Sequence, residues 1–149
     1  MLVEIKPQVI IFDGPDKAGK STLKAMLDKH TRFFHWTIDR GPLSHLVYNI
    51  AYDRTHQNFH VDNITNIMGQ AILVYVIADE DVLAQRIANS PNEPKIDLKR
   101  DLSLFSVVMN ATLHLWKGGL QLDTTDKTEE ESLSELIRKL NQLEEVMSK

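Results

Sequence analysis

The sequence contains no cysteine, no long apolar run and no large excess of charge of either sign. Without cysteine there can be no disulfide and no thiolate metal site, which suits a reducing compartment. No segment approaches the roughly 18 consecutive apolar residues that a transmembrane helix needs. The first seven residues include Glu4 and Lys6 and do not resemble a secretory signal peptide. We therefore expect a cytoplasmic protein that does not associate with membranes.

The formal net charge is only −4, so no overall basic field predicts binding to nucleic acid or to an anionic membrane. A chain of 149 residues with 42% hydrophobic and 26% charged residues has the composition of an ordinary globular domain. No repeat, low-complexity tract or long linker divides the sequence. We therefore expect one domain over residues 1–149.

Apolar runs and helical periodicities alternate along the chain. Strands are predicted over residues 8–12, 33–39, 71–78 and 120–123. Helices are predicted over residues 21–30, 43–54, 63–70, 80–88 and 98–117, and a last helix begins after the capping box Thr128–Glu131. Polar loops are expected over residues 56–63 and 89–95. This alternation predicts an α/β protein with a parallel sheet of four to five strands between two helical layers.

Some side chains have predicted positions within these helices. Asp79 would cap the helix that starts at residue 80. The 43–54 helix would bury the residues at helical spacing, which are Leu43, Leu46, Val47, Ile50 and Ala51. The 98–117 helix would turn inward Leu102, Phe105, Met109, Leu113 and Trp116. Gly118 would close that helix.

A phosphate-binding loop is predicted between the first strand and the first helix. The segment Gly14-Pro-Asp-Lys-Ala-Gly-Lys-Ser21 matches G-x-x-x-x-G-K-[ST]. Gly14 and Gly19 allow consecutive N–H groups to point into one concavity, which binds phosphate oxygens together with the positive end of the helix. Lys20 would reach the β- and γ-phosphates, and the Ser21 hydroxyl would ligate Mg²⁺.

The motif predicts the three-layer P-loop NTPase fold. Guanine-specific P-loop proteins usually carry an N-K-x-D element, and this sequence contains none. ATP is therefore favoured over GTP as the bound nucleotide. A carboxylate that closes an apolar strand is typical of the second metal-binding group of such proteins, and Asp39 closes the 33–39 strand.

Beyond the loop, the chain resembles the thymidylate kinase branch of the P-loop nucleoside monophosphate kinases. Residues 14–22 resemble that family's G-x-D-[RG]-A-G-K-S-T, and residues 39–48 resemble its D-R-[YH]-x-x-S-x-x-A-[YF]. Residues 71–88 resemble the strand and helix before the lid, and residues 120–125 resemble the last strand and the adenine-binding turn. The resemblance implies Mg²⁺-dependent phosphoryl transfer from ATP to a nucleotide or nucleotide-like acceptor. It indicates a shortened, phage-type member of the family.

The resemblance also implies roles for individual residues. The catalytic groups would be Lys17, Lys20, Asp39 and Arg40. The nucleotide would be bound by Gly14, Asp16, Lys17, Ala18, Gly19, Lys20, Ser21 and Thr22. The acceptor would be bound by Asp16, Arg40, Ser44 and Tyr48. Magnesium would be held by Ser21 and Asp39.

The acceptor side departs from the family. Only residues 31–38 separate the first helix from Asp39 and Arg40, where the family places a further strand and one or two helices. That stretch usually supplies arginines for the acceptor phosphate and part of the acceptor pocket. A second alignment would equate residues 34–39 with the family's second strand instead. The acceptor could therefore be dTMP, another mononucleotide, or a modified base or an end of DNA.

The sequence is also compatible with a protein that binds ATP without catalysing a reaction, although simple binding requires neither Lys17 nor Arg40. Two residue roles stay open as well. Tyr48 could be a half-buried core aromatic, and the cluster of Lys95, Lys99 and Arg100 could form a lid over the phosphates or an exposed charged surface. A homodimer is possible.

Overall fold

The structure, a computed structural model, describes residues 6–53, 61–90 and 97–148. Within these ranges four parallel strands form one sheet in the order β2-β1-β3-β4. The strands are β1 (Val9–Asp13), β2 (Trp36–Asp39), β3 (Ala71–Ile77) and β4 (Gly118–Asp123). The helices of this part of the chain are α1 (Lys20–His30), α2 (Pro42–Ala51), α3 (Val61–Gln70), α4 (Glu80–Ala88), α5 (Leu98–Thr112) and α6 (Glu129–Met147).

The core consists of two layers, one on each face of the sheet. Because successive residues of a strand point to opposite faces, Ile10 and Phe12 pack against α1 and α6, whereas Ile11 packs against α2 and α5. Both central strands are buried on both faces, which explains their continuous apolar sequences. The predicted three-layer α/β architecture with a parallel sheet is confirmed.

The register of the sheet determines which residues meet at its carboxyl edge. β2 pairs with β1, so that Asp39 lies beside Phe12, and β3 pairs with β1 on the other side, so that Tyr75 lies beside Asp13. The loop that follows β1 therefore leaves the sheet next to the end of β2. Residues from two distant parts of the sequence are brought to one edge.

The predicted helix over residues 98–117 is wrong in its last turn. α5 ends at Thr112, and a short 3₁₀ turn (Leu113–Leu115) follows. Leu113 is 58% exposed rather than buried. The backbone then becomes extended at Trp116, which lets the Lys117 N–H donate to the Met68 carbonyl.

Gly118 opens β4 and does not close a helix. A Cβ atom at this position would lie 3.1 Å from Sδ of Met147 and 3.3 Å from Cδ2 of Leu143. The absence of a side chain therefore lets α6 pack closely over the start of β4. The periodicity of the preceding residues cannot reveal this close approach, because the residues that cause it lie in another helix.

Other element ends also differ from the predictions. β2 begins at Trp36 because Arg32 and Phe33 adopt left-handed backbone angles, with φ values of 53° and 58°. α2 ends at Ala51, and Ile50 is 55% exposed. α3 starts two residues earlier than predicted. The loops expected over residues 56–60 and 91–95 lie outside the described residues.

The two predicted helix caps have different outcomes. The Asp79 side chain makes no capping hydrogen bond, and its backbone N–H donates to Thr125 Oγ1 over 2.8 Å. The capping box of α6 is confirmed, since Thr128 and Glu131 exchange two hydrogen bonds of 3.1 Å. Among the described residues, no helix has the length and apolar character needed to cross a membrane.

Candidate functional site

The loop between β1 and α1 requires glycine at two positions. Gly14 has a φ of 138°, and a Cβ atom there would lie 2.2 Å from the Val76 carbonyl oxygen of the neighbouring strand. Gly19 has a φ of 103° and is the N-cap residue of α1. The loop therefore passes directly over β3 and delivers its backbone to the amino end of a helix. This geometry suits a phosphate-binding loop.

Lys20 lies inside this loop and is only 5% exposed. Its Nζ donates to the carbonyls of Gly14 and Pro15 over 2.7 and 2.8 Å. Burial lowers the pKa of Lys20, and the carboxylates of Asp16 and Asp13 oppose that shift. The ammonium group is thus held within the loop by groups that an incoming phosphate can replace as partners.

Ser21 and Asp39 meet at the edge of the sheet. The Ser21 hydroxyl donates to Asp39 Oδ2 over 2.5 Å, although 18 residues separate the two in sequence. Both residues are exposed. Two hard oxygen ligands side by side fit Mg²⁺, which proteins often bind through one or two carboxylates together with substrate phosphates. The described residues contain no group of three or more His, Cys, Asp or Glu side chains that could hold a metal ion.

Arg40 and Asp16 also meet at this edge. Arg40 Nη2 lies 2.6 Å from Asp16 Oδ1. The Arg40 backbone is left-handed, with a φ of 66°, and its N–H donates to the Phe12 carbonyl. This turn directs the guanidinium back toward the phosphate loop rather than along β2.

The two remaining predicted acceptor residues are placed differently from each other. Ser44 is buried, and its hydroxyl donates to Asp13. Tyr48 is half-buried and packs edge-on against Phe105, with 5.8 Å between the ring centroids. Burial raises the pKa of Tyr48, and the negative charges of Asp16 and Asp101 add to that shift. Tyr48 therefore lies within electrostatic range of the phosphate loop, whereas the Ser44 hydroxyl is occupied by Asp13.

A cavity of about 630 Å³ opens beside the loop. Its walls include the predicted residues Asp16, Lys17, Ala18, Gly19, Lys20, Ser21, Thr22 and Arg40. The other predicted site residues, Gly14, Asp39, Ser44 and Tyr48, are not among its lining residues. Further walls come from α4 and the two residues after it, from the turn after β4 and from the start of α6, namely Arg86, Asn89, Ser90, Thr124, Lys127, Glu129 and Ser132. The cavity therefore extends from the phosphate loop toward the 120–125 segment.

Arg86 was not identified from the sequence as a site residue, and Thr124 was predicted only as part of the adenine-binding turn over residues 120–125. Arg86 Nη1 donates to the Lys17 carbonyl over 2.9 Å and to Thr124 Oγ1 over 3.2 Å. The Thr124 hydroxyl in turn donates to the Ala18 carbonyl over 2.7 Å. These bonds join the phosphate loop to the turn after β4. Arg86 carries no sequence signal for this role, because a cation in the last turn of a helix is common for electrostatic reasons alone.

Of the predicted lid cluster, Lys95 lies outside the described residues, whereas Lys99 and Arg100 lie in the first turn of α5. The Arg100 guanidinium lies 5.1 Å from the Tyr52 ring centroid and donates to Asp101 Oδ1 over 3.1 Å. Asp101 is buried, and burial raises its pKa. Arg100 thus contacts Tyr52, which directly follows α2, and Asp101 of its own helix.

No protein-family model matches the chain, and the comparison with curated proteins gives no match. Solved structures do match. The YorR protein of Bacillus subtilis, solved in complex with phosphorylated GDP, is 21% identical with a TM-score of 0.68, over 90% of this chain and 96% of that one. Thymidylate kinase from Candida albicans is 12% identical with a TM-score of 0.58, over 92% of each chain. At these identities the likeness shows the fold, and the chain has the three-layer P-loop fold of these two proteins.

Proposed function

We propose that this protein transfers a phosphoryl group from ATP to a nucleotide or nucleotide-like acceptor. The observation that carries the proposal is the meeting of three elements at one edge of the sheet. These are the loop with Lys20, the hydrogen-bonded pair of Ser21 and Asp39, and Arg40 beside Asp16. A site that only binds a nucleotide needs the loop with Lys20, whereas phosphoryl transfer also needs cations on both sides of the phosphoryl group that moves.

On the donor side, the loop N–H groups, the amino end of α1 and Lys20 bind the phosphates of ATP. Ser21 and Asp39 hold Mg²⁺, which supplies charge neutralisation on the phosphate oxygens when it is bound. Lys17 follows Asp16 in the loop, and its carbonyl is held by Arg86. Its ammonium group is our candidate for the cation that stabilises the charge of the transition state.

On the acceptor side, Arg40 offers a planar pair of donors that suits a phosphate. Asp16 faces the acceptor sugar, and the charges of Asp16 and Arg40 both act on the pKa of the Tyr48 hydroxyl. Catalysis then consists mainly of positioning and charge stabilisation, because phosphoryl transfer requires little covalent chemistry from the protein.

The two structural neighbours suggest which acceptors to test. One was solved with phosphorylated GDP, and the other is a thymidylate kinase. Guanine nucleotides and dTMP are therefore the first candidates, followed by other mononucleotides. DNA is the candidate that suits the short segment between α1 and β2, because a large acceptor brings contacts of its own.

The test is a coupled assay of ADP release with each acceptor, with wild type and two lysine variants. Lys20→Ala should lose activity on the order of 100-fold or more, because it removes the cation on the transferred phosphate. Lys24→Ala is the matched control, since Lys24 lies one turn further along α1 and pairs with Asp28. Normal turnover in folded Lys20→Ala contradicts the proposal. ATP binding by wild type without turnover on any acceptor favours the non-catalytic module.

A further inference from the structure

Asp13, the last residue of β1, is fully buried and accepts four hydrogen bonds. Its Oδ1 accepts from the Gly14 N–H over 2.9 Å and from the Ser44 hydroxyl. Its Oδ2 accepts from the Gly41 N–H over 3.2 Å and from the Ser44 N–H over 3.0 Å. One carboxylate therefore joins two segments that are about 30 residues apart in sequence.

The donors belong to the two halves of the proposed site. Gly14 is the first residue of the phosphate loop. Gly41 follows Arg40 directly and is the N-cap residue of α2, whose first N–H groups have no partner within the helix. Neither Gly41 nor Pro42 has a side chain that can cap these groups, so Asp13 does so from another element of the fold.

We propose that Asp13 is a positioning residue that fixes the phosphate loop and Arg40 relative to each other. The inference rests on the proposed function, because it assigns the donor side to the loop and the acceptor side to Arg40. It also gives Ser44 a different role from direct acceptor binding. The Ser44 hydroxyl completes the hydrogen bonds of Asp13 and so acts on the acceptor side through α2.

The number of donors specifies a carboxylate at this position. An ionised carboxylate is acceptor-only, with room for about two hydrogen bonds at each oxygen, and all these places are filled here. Burial raises the pKa of Asp13, while the donors from Ser44 and Gly14 act against the shift. An asparagine has the same shape, but its NH₂ group is itself a donor. In place of one carboxylate oxygen it would face groups that also donate.

The expected arrangement of Asp13→Asn follows from its neighbours. The Ser44 hydroxyl can rotate and accept from the new NH₂ group, whereas the backbone N–H of Gly14 cannot. The amide oxygen then stays with Gly41 and the Ser44 backbone. The variant therefore keeps the cap of α2 and loses the bond to the phosphate loop.

Asp28 provides a matched control. It is also a buried aspartate, and it accepts from the Thr37 hydroxyl over 2.5 Å and from Lys24 over 2.9 Å. It joins α1 to β2 as Asp13 joins β1 to α2, but these two bonds reach neither the phosphate loop nor Arg40. Asp28→Asn thus reports the cost of altering a buried aspartate without altering the site.

The experiment compares Asp13→Asn, Asp28→Asn and wild type by thermal unfolding, by kcat and KM for ATP and acceptor, and by amide exchange at Gly14 and Gly41. Both variants should lose stability. Only Asp13→Asn should lower kcat/KM, by about tenfold or more, because small misplacements of reacting groups are costly. Only Asp13→Asn should speed exchange at Gly14, while exchange at Gly41 changes little.

Equal effects of the two variants on kcat/KM and on Gly14 exchange would overturn the inference. If Asp13→Asn does not fold, Ser44→Ala replaces it, since this variant removes one bond to Asp13 and should lower kcat/KM in the same direction by less. Absence of turnover in wild type contradicts the proposed function, but amide exchange at Gly14 still tests whether Asp13 holds the phosphate loop. Unchanged Gly14 exchange in Asp13→Asn would then reject the positioning role independently.

Discussion

Nη2 of Arg40 lies 2.6 Å from Oδ1 of Asp16, so the residue expected to bind the acceptor phosphate is paired with the residue expected to face the acceptor sugar. The Arg40 side chain is 57% exposed. An ion pair between exposed groups contributes only about 0–1 kcal/mol to stability. A phosphate can therefore take the place of Asp16 as the partner of Arg40 at little cost.

Replacing Arg40 by lysine should impair use of the acceptor. A lysine keeps the charge but loses the planar pair of donors, and one hydrogen bond to a charged group contributes about 1.5–3 kcal/mol. We expect kcat/KM for the acceptor to fall about tenfold or more, with little change in KM for ATP. Steady-state kinetics with dTMP, guanine nucleotides, other mononucleotides and DNA measure the effect.

The control for this prediction is Arg138→Lys, since Arg138 is an exposed arginine on α6 that contacts Gln142 of the same helix. If no acceptor distinguishes Arg40→Lys from wild type, Arg40 does not bind the acceptor.

The same kinetic data test the consequence of the short 31–38 segment. Fewer acceptor contacts should give free dTMP a high KM, and efficient, selective phosphorylation of dTMP is the opposite result.

Lys17→Ala should lower kcat more than it raises KM for ATP. A cation delivered to the transferring phosphoryl group acts mainly in the transition state, and its removal therefore appears in kcat. The backbone at Lys17 is left-handed, with a φ of 67°, but alanine and lysine tolerate this conformation to a similar degree. Initial rates over a range of ATP concentrations separate the two constants.

Lys29→Ala serves as the comparison for Lys17→Ala, because Lys29 is exposed in the last turn of α1, away from the loop. An unchanged kcat in Lys17→Ala would make this lysine an ordinary charged residue of the loop. A rise in KM alone would assign it to ground-state binding of ATP.

The parts of the fold that the sequence predicts well are those that local patterns specify. The apolar run over residues 8–12 predicts a buried strand, which the structure has at Val9–Asp13, and the glycines after it predict a turn. The phosphate loop and Asp39 both lie at the carboxyl ends of parallel strands, which meet at one edge of the sheet. Asp39 could therefore be expected near Ser21, which follows the loop. The capping box of α6 is equally local.

The features that sequence analysis missed depend on contacts between distant segments. Trp116 fits the helical period of α5, yet the backbone has left the helix before it and the Lys117 N–H bonds to the Met68 carbonyl in α3. Ser44 has the spacing of an acceptor-binding residue, but its hydroxyl donates to Asp13 at the end of β1. Arg86 looks like a solvent-facing cation until α4 is placed beside the phosphate loop.

Asp39→Asn should raise the Mg²⁺ concentration needed for half-maximal activity. The amide keeps an oxygen that can accept from Ser21 but removes the negative charge that attracts a divalent cation. We expect a loss of roughly tenfold or more in kcat/KM at limiting Mg²⁺, since even the loss of an outer-shell partner of a metal ligand typically costs about 10–100-fold. Titration of activity with Mg²⁺ measures this.

Asp126→Asn is the control for the magnesium titration, since Asp126 is an exposed aspartate in the turn before α6. It removes the same charge from the protein without touching the pair of Ser21 and Asp39. Identical titration curves for wild type and Asp39→Asn would show that Asp39 does not contribute to magnesium binding.

Asp123 closes β4 beside the proposed site and is bonded to the turn that follows. Its Oδ1 accepts from the Thr125 hydroxyl over 2.6 Å and from the Thr125 N–H over 2.9 Å. The hydroxyl of Thr125 holds the pKa of Asp123 below its usual value. The contribution of this carboxylate to stability is therefore fully present above the unfolded-state pKa of about 3.9 and is lost as the pH falls through the lower folded-state pKa.

Asp123→Asn should accordingly destabilise the protein at neutral pH and much less in acid. At pH 7 the variant exchanges a charged acceptor for a neutral one, and we expect the free energy of unfolding to fall by about 1 kcal/mol. Between about pH 7 and 5 the difference from wild type should stay constant, because neither state of Asp123 binds protons there. Below about pH 3.9 it should shrink. Urea unfolding at each pH measures this, with Asp126→Asn as the control, and a difference that stays the same down to about pH 2.5 rules out the carboxylate as its source.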